Sequence, residues 1–395
     1  MQHDPSLAAR GSAPAALTPR FRRLAGFAEA EATWRALEAK GGLVSPGQSF
    51  DVCRLWCETL GVPKGEIVLL LAEAGDQPLA LLPLRRIRVR GTHVLGWMLG
   101  NHVGANAPLL DPCRFGVLSS EARADLWAGL ARLSGADLLF LRDMPIEMPD
   151  RLVLEAELGS TVPSDTLYRA HFSSFAEADA VQRNKSRRKH DRQQGDKLAA
   201  LGSVNFETIA NGDPEFPHAL ETLFRQRAER FAQMGICDPF AEPGIRAAYA
   251  ALAAPGSGVD VRMALLRLDG EIVAARYCIH SGAVWYCLIS SMSTEPRLQP
   301  GSPGKQCLLN VMQRLFEQGE AVLDMGSGLN DEKRHWCNEQ IQLVHRYLPV
   351  TARGRLLAAG HRQVSALRRL AKDNDTVRSF VYRARAALAR LRGRS

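Results

Sequence analysis

No long apolar run occurs in this chain, and that absence bounds its class. Within the 395 residues, no stretch approaches the roughly 20 consecutive apolar residues that a transmembrane helix needs. Residues 1–20 also lack a continuous apolar segment, so we expect a disordered lead-in there rather than a secretory signal. The composition, 46% apolar and 23% charged, is typical of a globular protein. We therefore expect a cytoplasmic protein.

The cysteines lack the spacing of a metal site. None of the eight belongs to paired C-x-x-C motifs or lies beside a cluster of histidines. Cys53 and Cys57 are one helical turn apart, and Cys278 and Cys287 lie in neighbouring predicted strands, which favours packing in the core over metal binding. We predict no metal, and reduced thiols fit the cytoplasm.

Sequence signatures of covalent catalysis are also missing. No Ser-His-Asp or Cys-His pattern stands out.

The chain has 50 Lys and Arg against 42 Asp and Glu, a net charge of +8. The excess is concentrated in Arg183–Arg192 and in the segment that begins at Arg353. Such charge suits an anionic partner, which leaves nucleic acid, an anionic lipid surface and an anionic ligand such as coenzyme A open.

The segment from Asp260 to Trp336 has the clearest order of elements. Two-residue gaps, Asp269-Gly270 and Ser281-Gly282, separate three runs rich in β-forming residues, as in tight hairpins. A polar loop follows, and then come a helix and a short buried strand. The predicted strands are Asp260–Leu268, Glu271–His280, Ala283–Ser291 and Ala321–Met325, and the predicted helix is Gly304–Glu317.

The loop before this helix suggests a phosphate site. A helix start offers unpaired N–H groups and partial positive charge. Gly301 and Gly304 have no Cβ, so a ligand could approach the backbone, while Ser302 and Lys305 add a hydroxyl and a cation. Spacing alone is equally typical of an ordinary Pro/Gly loop that leads into a helix.

This segment resembles the core of a GNAT-type acyltransferase. The resemblance is to the branch that includes the CelD/BcsL cellulose-biosynthesis proteins, and it extends distantly to the FemAB peptidyltransferases. It implies acyl-CoA as the co-substrate, with its pyrophosphate at the helix start. The residues that carry it are Gly270, Ala274, Ala275, Ser302, Pro303, Gly304, Leu308, Asp324, Gly326, Gly328, Lys333 and Trp336.

The order of elements in the first half echoes the second half. We therefore expect an α/β (α+β) fold of tandem GNAT-like domains, each a mixed central sheet flanked by helices, with the first copy degenerate and the second holding the cofactor. His102 is expected to be a loop residue rather than a catalyst. The predicted boundaries are 1–20 for the lead-in, 21–165 and 166–352 for the two domains, and 353–395 for a basic helical tail.

The chemistry of acyl transfer to an amine, together with the resemblance, nominates the site residues. Asp324 is the expected base or amine-orienting carboxylate, with Lys333, Glu332 and His335 as further catalytic candidates. Backbone N–H groups of the strand before the loop can polarise the thioester carbonyl. The expected cofactor-binding residues are Leu288, Ile289, Gly301, Ser302, Gly304 and Lys305, and the expected substrate-binding residues are Arg187, Tyr286 and Trp336.

The basic tail leaves the function open between two classes. The first interpretation is an acyl-CoA-dependent N-acyltransferase of exopolysaccharide or cell-envelope synthesis. The alternative is a non-catalytic scaffold that uses an amphipathic, Arg-rich helical hairpin to bind a membrane-bound polysaccharide synthase or an anionic membrane surface. Docking of the tail on its own domain remains open. Nucleic-acid binding would rest on charge alone.

Overall fold

The computed structural model describes residues 19–148, 153, 154, 156–319 and 321–373. The first half begins with a strand and two helices and then forms a mixed sheet. Its strands are β1 Pro19–Leu24, β2 Ile67–Ala74, β3 Gln77–Val89, β4 Thr92–Trp97, β5 Leu109–Leu110 and β6 Leu138–Pro145. Its helices are α1 Phe27–Glu38, α2 Phe50–Thr59, α3 Pro112–Gly116 and α4 Ser120–Leu133.

The second half repeats the mixture of strands and helices. Its strands are β7 Ser160–His171, β8 Val204–Ala210, β9 Asp260–Leu268, β10 Glu271–Ser281, β11 Val284–Met292, β12 Val322–Ser327 and β13 Glu339–Pro349. Its helices are α5 Phe175–Gln182, α6 Lys185–Ala199, α7 Phe216–Met234, α8 Pro243–Leu252, α9 Pro303–Glu317, α10 Asp331–Trp336 and α11 Ala352–Asp373.

Local sequence accounts for several of these boundaries. The Ser119 hydroxyl accepts a hydrogen bond from the backbone N–H of Ala122 and so caps the N-terminus of α4. Ser174 caps α5 in the same way. Gly235 ends α7 in the left-handed conformation, which a residue without a Cβ adopts at little cost.

The two halves share one continuous sheet of 13 strands. Its order is β1-β2-β3-β4-β6-β13-β7-β12-β11-β10-β9-β8, with β5 paired to β3. The last strand of the chain, β13, lies between β6 of the first half and β7 of the second and is antiparallel to both. The predicted fold class is confirmed, and the sheets of the two halves meet at β13.

The helices of both halves also share a core. Trp34 and Trp56 of the first half belong to the same buried cluster as Phe224, Tyr249 and Tyr277 of the second. The ring of Trp56 packs edge-on against Tyr249 at 5.4 Å between centroids. Burial of such large aromatic rings stabilises the contact between the halves. The predicted domain boundary between residues 165 and 166 lies inside β7, and the division itself stays a prediction.

Three expectations from the sequence need correction. The predicted lead-in 1–20 overlaps β1, which the sequence analysis missed because its alternating arginines at the sheet edge carry no apolar period. The sequence pattern of Ser174–Leu198 predicts one helical segment, but the structure has two helices there, because Arg183 is extended and the Asn184 side chain caps α6 at the N–H of Arg187. The helix of the basic tail, which was predicted over 353–395, begins one residue earlier, at Ala352.

Helix α11 docks on the first half. Gly354 lies so close to the sheet that an added Cβ would overlap the carbonyl oxygen of Asp137. Ala358 is buried in a small cluster with Val94, Leu138, Val162 and Tyr347. The first part of the basic tail, α11, thus docks on its own domain, which was one of the alternatives left open by the sequence. The second helix predicted around Asp375 lies outside the described residues.

Candidate functional site

The centre of the site is a gap between two parallel strands. β11 and β12 pair only through Val284–Val322, Trp285–Leu323 and Tyr286–Asp324, and the register ends there. Helix α9 connects the two strands, and the next partner of β12 is β7. Beyond Tyr286 and Asp324 the backbones of β11 and β12 therefore diverge and leave polar groups directed at a gap.

A β-bulge lies at the same point of β11. Tyr277 pairs with Ile289 and Cys278 pairs with Cys287, so Leu288 is the extra residue that has no partner on β10. A bulge interrupts the ladder and leaves the backbone of the extra residue unpaired. Leu288 also lines the cavity that opens at this gap. Ile289 is buried in the core, so only its backbone could take part.

Both halves of the chain line the resulting cavity, whose volume is about 220 Å³. The second half contributes Tyr286, Cys287, Leu288, Asp324, Met325, Gly326, Ser327 and Lys333, and the first half contributes Ser45 and residues 101–105. Gly104 touches β12 so closely that a Cβ would lie 2.9 Å from the Cα of Gly326. The first half is therefore a structural wall of the site.

Asp324 is the buried carboxylate of this cavity, with only 4% of its surface exposed. It accepts hydrogen bonds from Arg169 Nε at 2.9 Å and from the backbone N–H of Gly326 at 2.8 Å. Burial raises the pKa of Asp324, and the neighbouring guanidinium of Arg169 opposes that shift. The carboxylate is thus positioned from two sides beside the gap.

Lys333 and Tyr286 are also held in fixed positions. The ammonium of Lys333 donates to the carbonyl oxygens of Ser327 and Gly328, and burial lowers its pKa. The hydroxyl of Tyr286 donates to the carbonyl of Leu43 in the first half at 2.7 Å. Trp285 lies on the opposite face of β11 in the core, because successive side chains of a strand alternate between its two faces, so only Tyr286 of the two lines the cavity.

His102 belongs to the cavity, although the sequence pattern favoured a plain loop residue. Its Nδ1 lies 3.3 Å from the hydroxyl of Tyr249, and the Trp56 ring is 4.8 Å away between centroids. Burial lowers the pKa of the His102 imidazole. The ring is therefore neutral near neutral pH and keeps a nitrogen lone pair. Sequence alone could not place it beside Asp324, because the two lie in different halves.

Cys287 has an electrostatic environment unlike that of the other buried thiols. It pairs across the strands with Cys278 and lies near the buried Arg276. A hydrogen bond from the Cys278 thiol and the Arg276 guanidinium lower the pKa of Cys287, whereas burial raises the pKa of Cys307. The expectation of core packing holds for Cys278, but Cys287 also lines the cavity.

The start of α9 is covered by α6. A Cβ on Gly301 would lie 2.9 Å from the Cβ of Leu198, so the missing side chain makes room for that helix. Gln194 of α6 donates to the hydroxyl of Ser302 at 2.7 Å. Gly304 is buried against Met292, whereas Lys305 is half-buried. The role of Gly301, Ser302, Gly304 and Lys305 in cofactor binding stays a prediction.

Of the remaining predicted residues, three are on α10 and Arg187 is on α6. Glu332 accepts a hydrogen bond from Arg276 at 2.8 Å, and the Arg187 guanidinium lies 3.4 Å from His335 Nε2. Trp336 is buried beneath the guanidinium of Arg183. The structure thus brings Asp324, Lys333, Tyr286 and Leu288 together around the cavity. It places Glu332, His335, Trp336 and Arg187 in a neighbouring cluster.

Comparison with known families agrees with this geometry. Residues 185–334 match the family described as an acetyltransferase (GNAT) domain. This range contains α6, the strands on both sides of the gap, and the first four residues of α10. This part of the chain is therefore similar to a GNAT acetyltransferase domain, and the predicted enzyme class, an acyltransferase, is confirmed. No curated protein matches the sequence.

Solved structures extend the likeness to the first half. FemX is 11% identical, covers 83% of this chain and 97% of its own, and has a TM-score of 0.54. The C-terminal domain (DUF2156) of a putative lysylphosphatidylglycerol synthetase from Agrobacterium fabrum is 14% identical, with coverages of 85% and 95% and a TM-score of 0.50. At such identities the likeness concerns the fold. The closer resemblance to CelD/BcsL proteins stays a prediction.

Two features are absent from the described part of the chain. No helix there is both long and apolar enough to span a bilayer. No group of three or more His, Cys, Asp or Glu side chains there is arranged to hold a metal ion.

Proposed function

We propose that the chain is an acyl-CoA-dependent N-acyltransferase that acts on an amine acceptor. The observation that carries the proposal is the cavity between β11 and β12, which combines the bulge at Leu288 with the buried carboxylate of Asp324. In this proposal the thioester lies in the gap, and its carbonyl oxygen accepts a hydrogen bond from the N–H of Leu288. Donors positioned in advance of the reaction stabilise the charge that develops on such an oxygen.

The chemistry needs a neutral amine and a thiol leaving group. Asp324 holds the incoming ammonium, and the neutral imidazole of His102 takes its proton. The amine nitrogen then forms a bond to the thioester carbon, and the carbon–sulfur bond breaks. The new amide nitrogen loses its second proton, and the departing thiolate takes up a proton to become the free thiol of coenzyme A. Lys333 adds positive charge near the leaving sulfur.

Calorimetric titration tests the donor site. Acetyl-CoA, a longer acyl-CoA and free coenzyme A are each titrated into the protein. Replacing Leu288 with Trp fills the gap, so we expect the affinity for acyl-CoA to fall at least tenfold without loss of the folded state. Lys305→Ala should weaken binding of coenzyme A but not of an acyl thioester that lacks phosphates, with the exposed Lys64→Ala as the control. Absence of acyl-CoA binding to the unmodified protein would overturn the proposal.

The proposal includes a pathway and a location that come from the resemblance. We place the enzyme in exopolysaccharide or cell-envelope synthesis, in the cytoplasm and peripheral to the inner face of the membrane. Its basic tail would meet a polysaccharide synthase or an anionic lipid surface. The exposed apolar side chains of Leu356 and Val364 on α11 support such a contact, since 77% and 44% of their surfaces face solvent.

A non-catalytic scaffold with the same tail is the second candidate function. It shares the exposed face of α11 with the first proposal but does not require acyl-CoA. Removal of residues 374–395 together with Leu356→Glu and Val364→Glu separates this surface from the site: under the scaffold function, association with membranes or the synthase should be lost. Full association of the shortened protein would overturn it, and saturable acyl-CoA binding would favour the enzyme.

A further inference from the structure

A second and larger cavity lies beside the first on the same face of the sheet. This groove has a volume of about 810 Å³ and is formed by β7, β13 and the end of β6. Its lining residues are Val44, Pro145, Ile146, Glu147, Met148, Arg169, His171, Glu339, Gln340, Ile341 and Gln342. It lies at the junction of the two halves, because β13 pairs with β6 on one side and β7 on the other.

Arg169 forms the wall between the groove and the gap. Its side chain lines the groove, while its Nε donates to Asp324 in the neighbouring cavity. Its Nη2 donates to the carbonyl of Val44 at 2.9 Å. Val44 lines the groove, and the next residue, Ser45, lines the cavity. One buried guanidinium and one loop therefore separate the two spaces.

The lining of the groove combines apolar walls with negative charge. Val44, Met148 and Ile341 offer apolar surface, and two carboxylates, Glu147 and Glu339, lie along the groove. Asp324 balances the positive charge of Arg169. Glu339 contacts His171 at 2.5 Å, and Glu147 is exposed. An aliphatic chain that carries a positive charge at a distance from its reacting end would fit this lining.

We propose that this groove binds the acceptor as an aliphatic diamine or a similar amine-bearing cationic chain, with its reacting nitrogen at Arg169 and Asp324 and its second cation at Glu147 and Glu339. The inference rests on the proposed N-acyl transfer. Arg169 would favour the neutral form of the reacting amine, since a neighbouring positive charge disfavours a second one. The acceptor would thus reach the thioester from the side opposite coenzyme A.

Turnover with a matched pair of amines tests the charge requirement. The probes are 1,5-diaminopentane and n-pentylamine, with acetyl-CoA as the donor and release of the coenzyme A thiol as the signal. In Glu147→Gln and in Glu339→Gln, we expect KM for the diamine to rise about tenfold, with kcat and KM for acetyl-CoA unchanged. KM for n-pentylamine should stay the same. Glu271→Gln, an exposed substitution on the far hairpin, is the control.

Occupancy of the groove is tested separately from its charge. Ile341→Trp places a bulky ring in the groove, because Ile341 is on the same face of β13 as Glu339, and we expect it to raise KM for both amines while acetyl-CoA binding stays unchanged. Binding of 1,5-diaminopentane in the presence of coenzyme A is also followed by calorimetry, which needs no turnover. Equal diamine affinity in the unmodified protein and the two Gln variants, or no diamine binding, would overturn the inference. Failure of acetyl-CoA to bind would instead overturn the proposed function.

Discussion

The guanidinium of Arg169 donates to the carboxylate of Asp324 at 2.9 Å, and this ion pair joins β7 to β12 beneath the loop of the first half. The side chains are only 14% and 5% exposed. The pair therefore links the two halves at the point where the candidate donor gap and the acceptor groove meet.

Removal of one partner of this pair should be strongly destabilising. Arg169→Met leaves the carboxylate of Asp324 buried without its cation, so we expect the free energy of unfolding to fall by about 3–5 kcal/mol. Urea denaturation measures the change. Arg22→Met is the matched control, because its pair with Glu29 is about half exposed, is screened by solvent and should contribute little to stability. Equal losses of unfolding free energy in Arg169→Met and Arg22→Met would contradict a stabilising role of the buried Arg169–Asp324 pair.

Gly104→Ala tests the contact between the loop of the first half and β12. An added Cβ would lie 2.9 Å from both Gly326 Cα and Leu167 Cδ1, which forces the loop away from the cavity. We expect a loss of about 1–3 kcal/mol in stability and weaker acyl-CoA binding. Gly116→Ala has open space around its Cβ and should leave both quantities unchanged. An unaltered affinity in Gly104→Ala would argue against a cavity shared by the halves.

His102 should make the protein less stable in mild acid. Its pKa in the folded state is lowered by burial, so the unfolded chain binds its proton more readily. The contribution of His102 to stability is complete above the ordinary histidine pKa of about 6.5 and is lost as pH falls through the lower folded value. Unfolding in urea between pH 8 and pH 5 should show a smaller loss in His102→Gln. The exposed His218→Gln should retain the full dependence.

Cys287 should be the most reactive of the thiols around the cavity. We expect iodoacetamide to alkylate it near neutral pH in a Cys113→Ser/Cys237→Ser background, which removes the exposed cysteines. The buried Cys307 and Cys337 should stay unmodified, because burial raises the pKa of each to about 12. Mass spectrometry of peptides locates the label, and coenzyme A should slow it. Label at Cys307 ahead of Cys287 would contradict this order.

Two glycines of α11 provide a matched test of tail docking. Gly354→Ala places a Cβ on the carbonyl of Asp137, so the helix must move off the sheet, and protection of its amides from hydrogen exchange should fall. Gly360→Ala meets no atom within 4 Å and should stabilise the helix by about 0.5–1 kcal/mol. Equal protection in the two variants would show that α11 docks differently.

Much of the order of elements could be read from the sequence, because periodicity and turn residues act locally. The meander of β9, β10 and β11, the helix α9 and the strand β12 follow from alternating apolar residues and from Asp-Gly and Ser-Gly turns. Asp324 and Tyr286 could be nominated from the same local pattern, since both lie in predicted strands of this segment. The family match covers this same stretch.

Only the tertiary structure decided which parts of the chain complete the site. His102 and Gly104 are brought to Asp324 from the other half, and Arg169 reaches it because β7 is the next strand beyond β12. Pairing of β13 between the halves joins residues about 200 positions apart. Such contacts depend on strand order and shared burial, which no local pattern encodes. The sequence by itself therefore determined the chemistry of the second half, whereas folding determined that the first half forms its wall.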